Sequence, residues 1–209
     1  MKNYVITIAR GLGSGGSHIA KALSQDLKIS YYDTEILTMA SDLSGINEQF
    51  FFEANEKIDK GILAINNAKG AYTGTIYHEG DRKFLSNENL FNYQAKIIRS
   101  LALQGEESCI IIGKAANYIL RNFPNVLSVN VQATLDYCID NVMKRMSREE
   151  EEARRLILKI DKYRENYYKY YTGGNWLDPK EYDLSINTET MGEEFAADLI
   201  KYCLQKKLA

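Results

Sequence analysis

A glycine-rich turn near the N-terminus constrains the fold of this chain more than any other feature. The apolar run at 5–9 leads into the segment RGLGSGGSHI, after which apolar residues recur at helical spacing. This order predicts a strand at 5–9, a turn, and a helix at about 17–28. The glycines let successive backbone N–H groups face one point, and the start of the helix adds its positive dipole end. The turn therefore suits an anion of phosphate size, and we expect the chain to bind a nucleotide.

The glycines fit two nucleotide-binding patterns, and the residues alone leave both open. Gly11-x-Gly13-x-x-Gly16 matches the dinucleotide fingerprint, whereas Gly11 and Gly16 match the two glycines of the phosphate loop of kinases. The lysine of the second pattern is absent, because Ser17 and His18 follow Gly16. In a register shifted back by one residue, Arg10 stands at the first glycine and Gly16 at the lysine. A purely structural turn between strand and helix is a third interpretation.

Composition and charge argue against several other classes of protein. The chain has 209 residues, of which 45% are hydrophobic, and a formal net charge of −2. One domain with one sizeable core is expected from this length. The acidic balance does not favour nucleic acid or a membrane surface as a partner, and no apolar run is long enough to span a bilayer. We therefore expect a cytoplasmic monomer or homodimer that binds small molecules.

The residue types that most often bind metals are scattered along the chain. Cys109, Cys138 and Cys203 lie far apart within apolar patterns, which favours reduced core thiols over a disulfide or a metal site. His18 and His78 are isolated as well. We therefore expect no metal centre built from these side chains.

Apolar patterning predicts strands that alternate with helices. Further strands are expected at 29–32, 109–113, 126–131 and 182–186. Helices are expected at 46–66, at 88–104 between Ser86 and Gly105, at 147–171 between a capping box at Ser147 and the stop at Gly173, and at the C-terminus. Residues 69–86 lose this periodicity and are predicted to form a long loop. The alternation indicates an α/β protein whose parallel sheet is covered on both faces.

Blocks of residues spread in order over nearly the whole chain carry a further signal. They are ITIAR at 6–10 with GSGG at 13–16, YYD at 31–33, IIGKAANYIL at 111–120, PNVL at 124–127, the segment 147–153, YYKYYTG at 167–173 and YDLSINT at 182–188. Together these blocks resemble the cytidylate kinase-like family. The resemblance implies a three-layer phosphate-loop NTPase fold, in which helices flank a five-stranded parallel sheet. It also implies a single domain of residues 1–209, with a core at 1–33, 108–143 and 179–209, a monophosphate-binding insertion at 34–107 and a lid at 144–178.

The activity that the resemblance implies is transfer of the γ-phosphoryl group of ATP to a nucleoside monophosphate, with ATP and Mg²⁺ as cofactors. The loop that would cradle the donor phosphates comprises Gly11, Gly13, Ser14, Gly15, Gly16, Ser17 and His18. Asp33 and Lys114 match positions that contact the acceptor, and Asn187 follows the last strand, where kinases of this fold hold the donor base. Phosphoryl transfer needs cations over the migrating charge. The candidates for that task are Arg10, Arg145, Arg148, Arg164 and Lys169.

The chain also departs from the family pattern. The phosphate-loop lysine is missing, Ser17 stands where the close family often has arginine, and Asn117 stands where the family has aspartate. Loss of that lysine removes stabilisation of developing negative charge. Two hypotheses follow: either Arg10, Lys21 or a lid cation replaces the lysine, or the chain binds nucleotides without turnover. A dinucleotide-binding domain, in which Asp33 would hold a ribose, is the third.

Two expectations concern the unliganded protein. The loop offers several N–H donors at a helix start and carries no acidic side chain of its own, so it is expected to hold a phosphate or sulfate even without substrate. The lid cations are expected to be exposed and mobile, because like charges repel until phosphates arrive. The aromatic residues at 163–171 allow base stacking, but their helical spacing favours packing against the protein.

Overall fold

A five-stranded parallel sheet forms the centre of the computed structural model, which describes residues 3–56, 70, 72–104 and 107–208. Its strands are β1 (Val5–Arg10), β2 (Ser30–Tyr32), β3 (Cys109–Ile112), β4 (Val126–Gln132) and β5 (Leu184–Asn187). Their order in the sheet is β2-β3-β1-β4-β5, and every pairing is parallel. The predicted α/β fold with a five-stranded parallel sheet is therefore confirmed.

Helices cover both faces of this sheet. They are α1 (Gly16–Leu27), α2 (Glu35–Ser44), α3 (Glu48–Glu56), α4 (Asn87–Gln104), α5 (Ala116–Ile119), α6 (Leu135–Met146), α7 (Glu150–Thr172), α8 (Thr188–Met191) and α9 (Glu193–Leu208). Ile6 and Ile8 of β1 point to the face covered by α1 and α9, whereas Val5 points to the face of α2, α4 and the end of α7. Strands buried on both faces explain the unbroken apolar runs in the sequence. Among the described residues, no helix combines the length and apolarity needed to cross a bilayer.

The position of β1 places the glycine-rich turn at the middle of the sheet. Val5 pairs with Cys109 of β3 on one side and with Val126 of β4 on the other. The turn that follows Arg10 therefore emerges between the carboxyl ends of β3 and β4, where ligands of open α/β sheets bind. In dinucleotide-binding domains the first two strands are neighbours, whereas here β3 separates β1 from β2. This order does not support the dinucleotide-binding hypothesis.

The C-terminal half of α7 belongs to the core. Tyr167, Tyr168 and Tyr171 are buried. The ring of Tyr171 stacks on Phe91 of α4 with 3.9 Å between the centroids, and its hydroxyl donates to the carbonyl oxygen of Asn87. The prediction that these aromatic residues pack against the protein is confirmed, and this half of the predicted lid is fixed to α4.

Several predicted boundaries agree with the structure. The Ser86 hydroxyl accepts a hydrogen bond from the N–H of Asn89 at the start of α4, and Gly173 ends α7 with φ of 74°. The three cysteines are free thiols, of which Cys109 and Cys138 are buried. The predicted stop at Gly105 lies outside the described residues.

Two helix predictions were wrong in part. The segment 35–44, with no predicted element, forms α2, and Gly45 ends it with φ of 72° before α3 begins. Residues 57–66 of the helix predicted at 46–66 lie outside the described residues. Ser147 does not open a helix: it ends α6 with φ of 51°, and Glu149 occupies the N-cap position of α7 without a side-chain hydrogen bond. The chain reverses at Ser147 because apolar residues of α6 and α7 pack on each other there.

One buried hydroxyl connects the glycine-rich turn to the residue that follows the edge strand β5. The Thr188 hydroxyl lies 2.7 Å from the carbonyl oxygen of Ser14 and 3.2 Å from that of Gln132. Thr188 and Ser14 are both fully buried. Because both groups are buried, water could not take the place of the Thr188 hydroxyl at the Ser14 carbonyl. The hydrogen bond therefore stabilises the conformation of the turn.

Replacement of Thr188 by valine should lower the free energy of unfolding by about 1–3 kcal/mol, because the shape is kept and the buried carbonyl loses its donor. Thr190→Val is the matched control, since the exposed Thr190 hydroxyl donates to Asn187 and water can take its place. That variant should stay within about 0.5 kcal/mol of the parent. Urea denaturation of both variants is the measurement, and equal losses would contradict a special role of Thr188.

Candidate functional site

The turn between β1 and α1 directs its carbonyl groups into the protein. The carbonyl oxygen of Gly11 accepts hydrogen bonds from the N–H and hydroxyl of Ser14, and that of Gly13 accepts one from the Asn141 side chain at 2.9 Å. The carbonyl of Gly15 accepts from the N–H of His18. These three acceptors of the turn are thus satisfied within the protein, and some of the turn's donors are left for something else.

Four backbone donors of the turn have no protein acceptor within the described part of the chain: the N–H groups of Gly13, Gly15, Gly16 and Ser17. They surround the start of α1 and line a cavity of about 300 Å³, which we call the loop cavity. Its other lining residues include Arg10, His18, Asn141, Arg145 and Arg164. N–H groups at a helix start, with cations beside them, form an anion site.

Two of the glycines are required by the backbone of this turn. Gly13 and Gly15 both have φ of +85°, where side chains with a Cβ are strained. A Cβ on Gly13 would also lie 2.5 Å from the carbonyl oxygen of Cys138. The spacing of these glycines therefore follows from the curvature that turns the N–H groups toward the cavity.

A second cavity, of about 240 Å³, lies at the carboxyl ends of β1 and β3. We call it the aromatic cavity, because its walls include Tyr163, Tyr167, Tyr168, Trp176 and Tyr182. Charged residues form another part of its lining: Arg10, Asp33, Lys114 and Arg164. None of the described residues of the predicted insertion at 34–107 lines it.

Arg10 and Arg164 line both cavities and so stand where the two meet. The Arg10 side chain is only 15% exposed, and its Nη2 donates to Asp33 at 3.1 Å. Nη1 of Arg164 donates to the carbonyl oxygen of Arg10 at 3.1 Å and to Asp161 at 2.9 Å. The junction of the cavities is therefore built from two largely buried guanidinium groups whose positions are set by hydrogen bonds.

The positive charge at this junction is incompletely compensated. Burial lowers the pKa of Lys114 to about 8, and the charges of Arg10 and Arg164 act in the same direction against the pull of Asp33. Burial and the charge of Arg164 lower the pKa of Arg10 to about 10. The lowered pKa values mean that the charged forms are destabilised, mainly by burial and in part by the neighbouring cations, so an anion in this place would be bound favourably.

The backbone that carries Lys114 is strained as well. Gly113, Lys114 and Ala115 are three consecutive residues with positive φ, at 68°, 54° and 52°. A non-glycine residue in this region costs about 1–2 kcal/mol. Strain of this kind tends to concentrate at functional sites, and here it accompanies an ammonium group that lines the aromatic cavity.

An acidic side chain from another element occupies one donor of the turn. The Asp161 carboxylate of α7 accepts the N–H of Leu12 at 2.9 Å, and it also pairs with Arg164. Burial raises the pKa of Asp161, although Arg164 and the Leu12 N–H oppose the rise. Nothing near the turn in sequence indicated this contact, because the carboxylate comes from a helix 149 residues away.

The predicted lid cations divide into two groups. Arg145 lines the loop cavity and pairs with Glu193 at 2.5 Å, while Arg164 lies at the junction. Arg148 and Lys169 are exposed and line neither cavity. The expectation of exposed lid cations is wrong for Arg164, whose side chain is 21% exposed, because Asp161 and the Arg10 carbonyl hold it against the turn.

Asn187, predicted to contact the donor base, has a structural contact in this state. Its side chain caps α8 by accepting the N–H of Glu189 at 3.0 Å, and it lines neither cavity. Asn117 does line the aromatic cavity, where its amide nitrogen donates to the Tyr168 hydroxyl and to the carbonyl of Glu181.

The sequence profile of the cytidylate kinase-like family matches residues 5–190. The chain belongs to the cytidylate kinase-like family. A cytidylate kinase from Sulfolobus acidocaldarius is 25% identical over 203 residues, which are 97% of this chain and 94% of that relative. The family resemblance of the sequence blocks is thereby confirmed.

Solved structures share the fold of this family member. An uncharacterized protein from Eubacterium ventriosum has a TM-score of 0.71 at 24% identity, with 97% of this chain and 99% of that chain covered. A shikimate kinase from Bacteroides thetaiotaomicron has a TM-score of 0.53 at 10% identity, with 97% and 98% covered. The family supports phosphoryl transfer of the kind that nucleotide kinases perform, and the solved structures support the fold.

The charge on Lys114 makes anion binding depend on pH. Pyrophosphate affinity should fall as the pH rises through about 8, because Lys114 loses its proton there. Lys114→Arg keeps the charge, so the part of the fall in affinity that comes from Lys114 should disappear. Lys114→Met lacks the charge and should bind pyrophosphate weakly both below and above pH 8. Calorimetric titration of the three proteins is the measurement. Pyrophosphate itself titrates identically in all of them, so indistinguishable pH profiles for the parent and Lys114→Arg would contradict the assignment.

Proposed function

We propose that this protein transfers the γ-phosphoryl group of ATP to a nucleoside monophosphate. The observation that carries the proposal is the meeting of two cavities at Arg10 and Arg164. One cavity presents free backbone donors, and the other combines aromatic walls with cations. A donor and an acceptor seated in them would face each other across the two guanidinium groups, which is the arrangement that in-line transfer requires.

The loop cavity suits the phosphates of ATP. Free N–H groups at the start of α1 supply fixed dipoles, and Arg145 and His18 stand at the same cavity. Glu193 pairs with Arg145 and lies 3.5 Å from His18, so both groups have a carboxylate partner in the absence of phosphate.

The aromatic cavity suits a nucleoside monophosphate. Tyrosine and tryptophan rings offer flat apolar faces to a base. Lys114 lines this cavity, and Arg10 stands at its junction with the loop cavity, where the acceptor phosphate would face the donor. The positive charge there favours an acceptor that carries a phosphate over a neutral one.

The donors beside the loop fit Mg²⁺ brought by the nucleotide. Mg²⁺ usually keeps several waters and takes one or two carboxylates together with substrate phosphates. The Ser17 hydroxyl lines the loop cavity, and no cluster of three ligating side chains occurs among the described residues. Ser17 would hold such an ion together with the substrate phosphates, whose charge the ion would neutralise.

Catalysis in this scheme is electrostatic. Arg10 and Arg164 are fixed by hydrogen bonds before substrates arrive, so little reorganisation is needed when charge develops on the transferring group. Their low exposure also reduces competition from water.

Replacement of Arg164 by methionine should lower turnover about 100-fold or more, because one preorganised donor to the transition state is lost. Arg155→Met is the matched control, since Arg155 lies on the same helix, is 70% exposed and lines neither cavity. ATP consumption is measured with Mg²⁺ and each common nucleoside monophosphate, CMP included. The parent should consume ATP only when an acceptor is present.

Two results would contradict this function. ATP binding without acceptor-dependent turnover would make the chain a nucleotide-binding protein on a kinase fold. Equal turnover of Arg164→Met and Arg155→Met would remove Arg164 from the mechanism.

A further inference from the structure

The side chain of Arg10 passes between two glycines. A Cβ on Gly16 would lie 2.6 Å from the Cβ of Arg10 and 3.2 Å from its Cγ, and 3.3 Å from the Cβ of Val131. A Cβ on Gly113 would lie 2.6 Å from Nη1 of the same arginine. The aliphatic stem therefore uses the space beside Gly16, and the guanidinium group uses the space beside Gly113.

The glycine at 16 has no other explanation in the backbone. Gly16 is the first residue of α1 and, unlike Gly13 and Gly15, it does not have positive φ. In a helix, glycine is less favourable than alanine by about 0.5–1 kcal/mol. Residue 16 is also the position that the lysine of the phosphate loop would take in the shifted register, in which Arg10 replaces the first glycine.

We infer that Arg10 is the catalytic replacement for the phosphate-loop lysine, and that Gly16 is retained to leave space for it. The inference rests on the proposed function and deepens it by assigning this one task. Residue 10 carries the charge and residue 16 is glycine, whereas the phosphate-loop pattern has glycine at the first of these positions and lysine at the second. Because a Cβ on residue 16 would lie 2.6 Å from the Cβ of Arg10, only one of the two positions can carry a side chain.

The hydrogen bonding of Arg10 agrees with this role. Nη2 donates to Asp33, but Nε is buried and has no partner within the described residues. A buried N–H without an acceptor is costly, so a phosphate oxygen in that place would be stabilised. The planar guanidinium group also presents several donors at once, so Arg10 can contact phosphates from both cavities, which a lysine ammonium does less well.

Five variants separate the effect of the charge at residue 10 from the effect of the space beside residue 16. Arg10→Met keeps the stem but removes the charge, and Gly16→Ala adds a single methyl group that must displace the arginine. Arg10→Gly removes both stem and charge, Arg10→Gly with Gly16→Ala tests whether the space is then free, and Arg10→Gly with Gly16→Lys restores the usual arrangement. Lys21→Met is the control for charge, because Lys21 is an exposed residue of α1 that lines neither cavity.

Binding of ATP and of inorganic tripolyphosphate, which need no acceptor, is measured by calorimetry, and folding by circular dichroism and thermal denaturation. Arg10→Met and Gly16→Ala should each weaken binding about 10- to 100-fold. In the Arg10→Gly background only the looser contact with Val131 at 3.3 Å remains, so Gly16→Ala should affect binding and the melting temperature much less than it does in the parent. In the Arg10→Gly background, Gly16→Lys should raise the affinity about tenfold or more. Lys21→Met should bind like the parent.

The inference is overturned if folded Arg10→Met binds tripolyphosphate like the parent, or if Lys21→Met shows the larger loss. Equal effects of Gly16→Ala in both backgrounds would overturn the steric part. If Arg10→Gly does not fold, Arg10→Met and Gly16→Ala still decide between these outcomes. Failure of the proposed function has a different signature: Arg10-dependent binding of tripolyphosphate without turnover toward any monophosphate.

Discussion

The packing of Arg10 at the end of the central strand is the constraint on which the rest of the site depends. Its guanidinium group contacts Asp33 after β2, and its carbonyl oxygen accepts from Arg164 of α7. Its stem and head also require glycine at 16 and 113. Arg10 therefore contacts the glycine-rich turn, the turn after β3 and helix α7. It also forms part of the wall of both cavities.

This arrangement is not designed for stability of the unliganded fold. Arginine and lysine are concentrated at the junction, and burial with mutual repulsion lowers the pKa values of Arg10 and Lys114. Partly buried charges repay their desolvation only when their partners are well placed, and Asp33 and Asp161 compensate the cations incompletely. Such an imbalance favours the binding of an anion at this place.

The parts of this fold that were predictable from sequence are those fixed by local pattern. The strand, turn and helix at the N-terminus are consecutive in the chain, and Asp33 and Lys114 follow strands whose carboxyl ends share one edge of the sheet. Asp161 was missed because its contact with Leu12 depends on tertiary packing between residues 149 positions apart. The capping box at Ser147 was wrong for a related reason, since packing of α6 against α7 turns the chain there.

The helical periodicity of α7 explains why two of the predicted lid cations, Arg164 and Lys169, lie in different surroundings. Residues three apart share a helix face, so Asp161 and Arg164 meet the loop together. Lys169 lies five residues after Arg164, which at about 100° per residue places it on a different face of the same helix. Family position alone grouped these residues, whereas the periodicity of α7 would have separated them.

The left-handed backbone at Lys114 has a consequence for how this position can change over time. Stability alone would favour glycine or asparagine there, because both enter this conformation at lower cost. A lineage that no longer needed the ammonium group would gain stability by such a change. Retention of lysine at 114 among descendants of this chain is therefore a marker that binding, and not folding, still selects the residue.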